Sequence, residues 1–138
     1  MANAMYGLGR EAFLGADLDW DADNIEVLLV DAADYTINLT THQYLSDVTG
    51  AGIVANSRGG NGPLGSKTKT LGTADAADIT WNSVSGDQSE LIIVYENDAG
   101  ADTADRLICA FDTATGLPVT PNGGNITVQW HASGIFTL

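Results

Sequence analysis

Cysteine, histidine, proline and positive charge are all scarce in this chain of 138 residues. The single cysteine, Cys109, excludes an intrachain disulfide. It sits among Leu107, Ile108, Ala110 and Phe111 as one more small apolar residue, whereas a reactive thiol would want a nearby cation. The chain is thus compatible with a reducing cytoplasm. Arg10, Arg58, Lys67, Lys69 and Arg106 are the only cations against 18 acidic residues, giving a net charge of −13 and a pI near 4.1. So acidic a chain repels phosphate backbones, and no basic patch is interleaved with aromatics, so nucleic acid is not an expected partner. The acidity keeps a protein soluble and asks any large partner for a complementary or neutral face. His42 and His131 are the only histidines, too few for a zinc site without carboxylates at ligand spacing, and none show it. No apolar run approaches a membrane span, and residues 1–6 lack the basic start and apolar stretch of a secretory leader. Neither membrane insertion nor standard export is expected.

What the chain does have is a series of short strand-like pieces. Leu91, Ile92, Ile93, Val94 and Tyr95 form a solid apolar run, too short for a confident helix and rich in β-branched residues, as a strand buried on both faces requires. With the alternation at Ile79 and Trp81, residues 77–96 read as a pair of strands and their connection. Further strands are expected over residues 25–30, 50–56, 106–112, 126–130 and 134–138, with a lysine-guarded edge strand over 66–71. Residues 34–39 read as extended, and 40–45 as one helical turn capped by a threonine. Met5, Leu8, Ala12 and Phe13 recur at near-helical spacing and predict a short helix within residues 2–15, weakened by Gly7 and Gly9. Residues 58–65, dense in glycine, must be a loop. About seven to nine short strands separated by turn signals, with no helices between them, predict an all-β fold, a β-sandwich with a short N-terminal helix. The expected organisation is an N-terminal helix and docking segment over residues 1–16 and a single β-sandwich domain over 17–138.

Motifs that would carry chemistry fail on spacing. Asp19, Asp21 and Asp23 alternate like the start of a calcium loop, but the twelfth position is Val30, where a bidentate glutamate is needed. Residues 60–68 resemble a phosphate-binding loop, yet Ser66 separates the last glycine from Lys67 and no helix pattern follows. No nucleophile elbow accompanies the histidines, and paired carboxylates in so acidic a chain carry no specificity. The sequons at Asn38 and Asn125 are expected to be chance without a leader. Trp20, Trp81 and Trp130 sit in or beside strands and read first as core residues. No catalytic residue, cofactor or metal is expected, and the chain does not read as an enzyme.

Beyond these local readings, residues 1–6, the strand entry of 17–30 followed by Asp31 and Tyr35, residues 74–81, and the tail with 113–122, 126–130 and 134–136 together resemble small structural proteins of tailed bacteriophages. The similarity spans nearly the full length, and its motifs are strands and turns that carry no catalytic residue. The resemblance implies a capsid decoration (cement) protein, bound with neighbouring copies to the major capsid protein on the outer face of the virion shell and assembled in the cytoplasm of the bacterial host. Homo-oligomers are then expected, with trimers at threefold positions suggested by analogy. Ala2, Met5, Tyr6 and Leu8 are the expected docking residues, since an apolar segment ahead of a complete domain has something to bury, and the sandwich is expected to fold without residues 1–8. The same residues could instead cover their own sandwich. A tail or baseplate protein and a carbohydrate-binding β-sandwich module are the alternatives.

Overall fold

Strand β6 (Leu91–Asn97) forms where the densest β-branched run lies, and it is the middle strand of a five-stranded sheet with order β1-β7-β6-β2-β3. The computed structural model describes residues 3–48, 50–58, 60 and 62–138. The other members are β1 (Ala4–Met5), β2 (Asn24–Val30), β3 (Ile53–Asn56) and β7 (Leu107–Phe111). Two ribbons complete the architecture: β4 (Thr73–Ala74) with β9 (Phe136–Thr137), and β5 (Ile79–Trp81) with β8 (Ile126–Val128). All these pairings are antiparallel, so the fold is an all-β sandwich with one short helix, α1 (Gly7–Leu14).

The central strands are apolar on both sides because both faces of the sheet are covered. Ile25, Val27 and Leu29 of β2 and Ile92 and Val94 of β6 face one cluster with Trp20, Ile79, Trp81, Val128 and Ile135. Leu28 and Val30, with Leu91, Ile93 and Tyr95, face a second cluster with Tyr6, Tyr35, Leu45 and Val48. Strand alternation places neighbouring residues on opposite sides, and each such side chain, once buried, contributes about 1.5–3 kcal/mol. The ladder is in register from Asn24 opposite Asn97 to Val30 opposite Leu91. A shift between Val94 and Tyr95 bulges β7, so that Ile108 and Cys109 both join the first cluster. Cys109 is a core residue, its thiol pushed up by burial.

Several expectations change. β5 does not pair with β6. Its continuation is held instead by the approach to β8, where Ser83 N–H donates to Asn125 Oδ1 (3.0 Å) and Val84 N–H to the Gly124 carbonyl (2.9 Å). Residues 66–71 are not a strand: Thr68 makes a single bridge with Asp75, and the chain turns through a 3-10 helix, Thr70–Gly72. Residues 34–39, expected to be extended, carry no sheet pairing and end in a turn. The turn after them is capped not by a threonine but by Asn38, whose Oδ1 accepts the N–H groups of Thr40 and Thr41, and a 3-10 helix follows at Leu45–Asp47. Residues 50–56 divide into a 3-10 turn, Gly50–Gly52, and β3.

The N-terminal segment is built into the sheet. β1 pairs with β7, placing Ala4 opposite Ala110 and Met5 opposite Cys109, and Asn3 Oδ1 accepts the N–H groups of Asp112 and Thr113. Helix α1 rests directly on β7 through Gly9, where a Cβ would lie 2.6 Å from the Leu107 carbonyl oxygen. The glycine that weakens the helix is therefore what lets it approach the sheet.

Candidate docking surface

The expected docking residues do not share an open face. Ala2 lies outside the described residues. Met5 is half-buried in β1 and packs on the first cluster. Leu8 is half-buried on α1. Tyr6 has no exposed surface at all, and its hydroxyl lies 3.0 Å from that of Tyr35. An aromatic ring with its hydroxyl partnered inside is a core residue, so Tyr6 offers nothing to a partner while the protein is folded.

A more open apolar surface lies at the end of α1. A groove of about 370 Å³ is lined by Phe13, Ala16, Leu18, Trp20, Ala74, Phe136 and Leu138, with Asp19, Lys69 and Gly72 at its margins. Its floor is aromatic: Phe136 lies 5.8 Å from Phe13 and 5.3 Å from Trp20, the latter edge-on. Among the described residues, the Trp20 indole N–H is the one buried side-chain polar atom without a hydrogen-bond partner. The three large exposed apolar residues of the described chain, Leu14 (88%), Leu71 (97%) and Leu138 (57%), all line this groove or adjoin residues that do. Leu71 also has φ +54°. A left-handed backbone costs an L-residue about 1 kcal/mol or more, and a leucine left in water forgoes about 1.5–3 kcal/mol of burial. The turn that uses this backbone is closed by the Gly72 N–H donating to the Lys69 carbonyl (3.3 Å), but the side chain recovers no burial within the described fold, which makes Leu71 a candidate for contact outside the chain.

Charge surrounds the groove. Asp19 Oδ1 accepts the N–H groups of Asp21 and Ala22, and Asp23 Oδ2 accepts that of Asp19, so the alternating aspartates are folded into a turn. Lys69 Nζ meets Asp21 at 2.5 Å, and Lys67 Nζ donates to the Asp23 carbonyl. The lysines of residues 66–71 thus neutralise part of this acidic turn and guard no strand edge.

Two other places collect polar groups. At the end of the sheet near Asn97, Glu26, Glu96 and Asp105 are all buried. Arg58 reaches Asp105 (2.7 Å) and Asp102 (3.0 Å) and lies over the Tyr95 ring, and the Ser57 hydroxyl donates to Glu26. Burial raises Glu96 to about 7, with Asp23, Asp98 and Asp105 adding to the effect and Arg106 opposing it. Elsewhere, Asp31, Asp34 and Asp87 bring one carboxylate oxygen each within 4.8 Å of one another; the Asp31 carboxylate also accepts the Ala33 N–H. A second concavity of about 270 Å³ lies between β3 and residues 81–85, with Asn56, Asn82 and Ser83 on its wall. Among the described residues, neither concavity is lined by a histidine, a cysteine or a pair of carboxylates.

Sequence reasoning missed Phe13, Gly72, Phe136 and Leu138 as a surface group because they come together only when α1, the 66–72 turn and β9 pack side by side. The one local signal was Leu71 before Gly72, an apolar residue breaking a Lys-Thr alternation. None of the tryptophans is exposed: Trp81 donates to the Val27 carbonyl (3.3 Å), and half-buried Trp130 donates to that of Ala77 (3.1 Å). No protein-family model matches the chain, and a search of curated proteins gives no significant match.

Proposed function

We propose that this chain is a non-enzymatic structural protein of a tailed-bacteriophage virion, of the capsid decoration type, that binds the outer face of the major capsid protein shell and stabilises it against internal DNA pressure. The observation that carries the reading is the aromatic-floored groove lined by Leu138, with exposed Leu14 and Leu71 next to lining residues in the chain, on an otherwise acidic body. An apolar patch of this kind marks a protein contact more often than a reaction site. Its walls carry no group suited to general acid–base or nucleophilic work beyond Asp19 and Lys69, and Lys69 is already paired with Asp21. The sequence resemblance supplies the virion context. Each copy need bind only weakly, because many copies on one lattice, joined to their neighbours, act through avidity.

The docking role moves from Tyr6 to the far end of the N-terminal segment, where Phe13 and Ala16 line the groove and exposed Leu14 follows Phe13 in the chain. The carbohydrate-binding alternative loses its platform, since it asks for tryptophans on an exposed face. The test is the location and copy number of the protein in purified particles, by cryo-electron microscopy and quantitative mass spectrometry. Density on the outer face of the head at a copy number matching the shell lattice is expected. Density on the tail or baseplate, or absence from particles, overturns the decoration reading.

A further inference from the structure

The groove has a shape, a floor and a charged margin, and together they describe its occupant. About 370 Å³ accommodates one or two bulky side chains, and Phe13, Trp20 and Phe136 present ring edges and faces suited to a leucine or phenylalanine. The adjoining turn carries Asp17, Asp19, Asp21 and Asp23 against Lys67 and Lys69. A second copy of this chain would bring a net charge of −13 and the same acidic turn to the contact, so like charges would face one another. A partner with lysine or arginine beside its apolar anchor meets this margin with attraction instead.

We propose that the groove bounded by Phe13, Leu18, Trp20, Phe136 and Leu138 binds a protein segment that inserts a leucine or phenylalanine flanked by basic residues. This rests on the reading that the chain docks on a larger protein, and it adds the chemistry of the segment that is gripped. Leu138 packs beside the inserted side chain, exposed Leu71 extends the contact from the neighbouring turn, and the aspartates select the flanking cations and set the orientation.

The full chain can be tested by fluorescence anisotropy with three labelled peptides. The first is Gly-Lys-Lys-Phe-Leu-Lys-Lys-Gly, the second has every lysine replaced by glutamate, and the third has the Phe-Leu pair replaced by two serines. The lysine peptide is expected to bind at least about tenfold more tightly than either control, with part of the gain lost in high salt. The double variant Leu71→Ser/Leu138→Ser, which removes the exposed leucine that lines the groove and the one on the adjoining turn at positions too exposed to disturb folding, is expected to lose about tenfold for that peptide alone. Equal binding of the three peptides, no binding, or unchanged binding by the double variant overturns the proposal. So does sedimentation showing self-association of the wild type that the double variant loses, which would give the groove to a second copy. Particle incorporation separates this failure from failure of the virion reading. Absence of the wild type from particles defeats the virion reading, whereas wild-type incorporation of the double variant defeats only the groove.

Discussion

The Tyr6 hydroxyl lies 3.0 Å from that of Tyr35, which in turn reaches His42 Nδ1 at 2.7 Å. Because Nδ1 also accepts the Asn38 N–H (3.3 Å), the proton order runs from Tyr6 to Tyr35 to His42. The N-terminal segment is therefore tied to the cover of the second cluster. Deleting residues 1–8 removes β1, a fully buried aromatic ring and the Gly7 N–H donated to the Leu39 carbonyl. We expect a loss of at least about 3–5 kcal/mol, a large share of the about 5–15 kcal/mol that holds a domain together, so the truncated chain should be far less stable than the full one. Tyr6→Phe keeps the ring and should cost only about 1 kcal/mol. Urea denaturation followed by circular dichroism checks both, and a deletion variant as stable as the full chain would overturn the assignment.

Leu71 is strained and exposed, so relieving it should stabilise the monomer. Asparagine tolerates the left-handed region, and a residue 97% exposed has no packing to lose. Leu71→Asn is expected to gain a few tenths to about 1 kcal/mol, read as a higher midpoint of denaturation, while weakening the lysine peptide. A stability gain joined to a binding loss is the signature of strain kept for contact. Destabilisation instead would mean that Leu71 packs within its own fold.

The contrast between β6 and Leu71 shows what the sequence carries. β6 was legible because its apolar run is local, and burial on both faces has the same residue signature wherever the strand pairs. Its partner was not legible, since Ile79 and Trp81 alternate as well beside β8 as they would beside β6. Pairing was decided by Asn125 and Gly124 capturing Ser83 and Val84. Tyr6 looked like a free apolar residue because its hydroxyl partner lies 29 positions away. The groove was invisible for the same reason: its walls come from three separated stretches.

Arg58 and the fully buried Asp105 provide a direct measure of what holds the 58–65 loop to the sheet. Asp105 Oδ1 also accepts the Asp98 N–H at 2.9 Å, so Asp105→Asn can keep that acceptor while its NH2 group replaces the charged oxygen that accepts from Arg58. Arg58→Met leaves a buried carboxylate without its cation. It should cost about 2–4 kcal/mol, toward the lower end because the Arg58 side chain is one-third exposed. The double variant Arg58→Met/Asp105→Asn should recover at least half of that cost, since the uncompensated charge is gone. Additive losses in the cycle would show that the pair is not coupled.

Glu96 sets the direction of the pH dependence. Burial raises its carboxyl from the ordinary 4.5 to about 7, with Asp23, Asp98 and Asp105 pushing the same way against Arg106. Burial also raises Glu26 against the Ser57 hydroxyl and Arg58, and raises Asp105 against the Asp98 N–H and Arg58. Between 4.5 and about 7 the folded chain holds a proton on Glu96 that the unfolded chain has released. Stability must then fall as pH rises through that window, being fully present below it and lost above. Asp47 acts oppositely. Burial alone would raise it, but the N–H groups of Tyr44 and Gln43 hold it below its ordinary 3.8, so its contribution disappears as pH falls beneath that value. The protein is therefore expected to be most stable around the interval between pH 3.8 and 4.5 and to lose on the order of 1–3 kcal/mol by pH 8. Glu96→Gln, neutral at every pH, should flatten the slope between 5 and 8 and raise stability at the alkaline end. Urea midpoints across that range decide it: a wild type whose stability rises toward pH 8, or a variant with an unchanged slope, would remove Glu96 from this role.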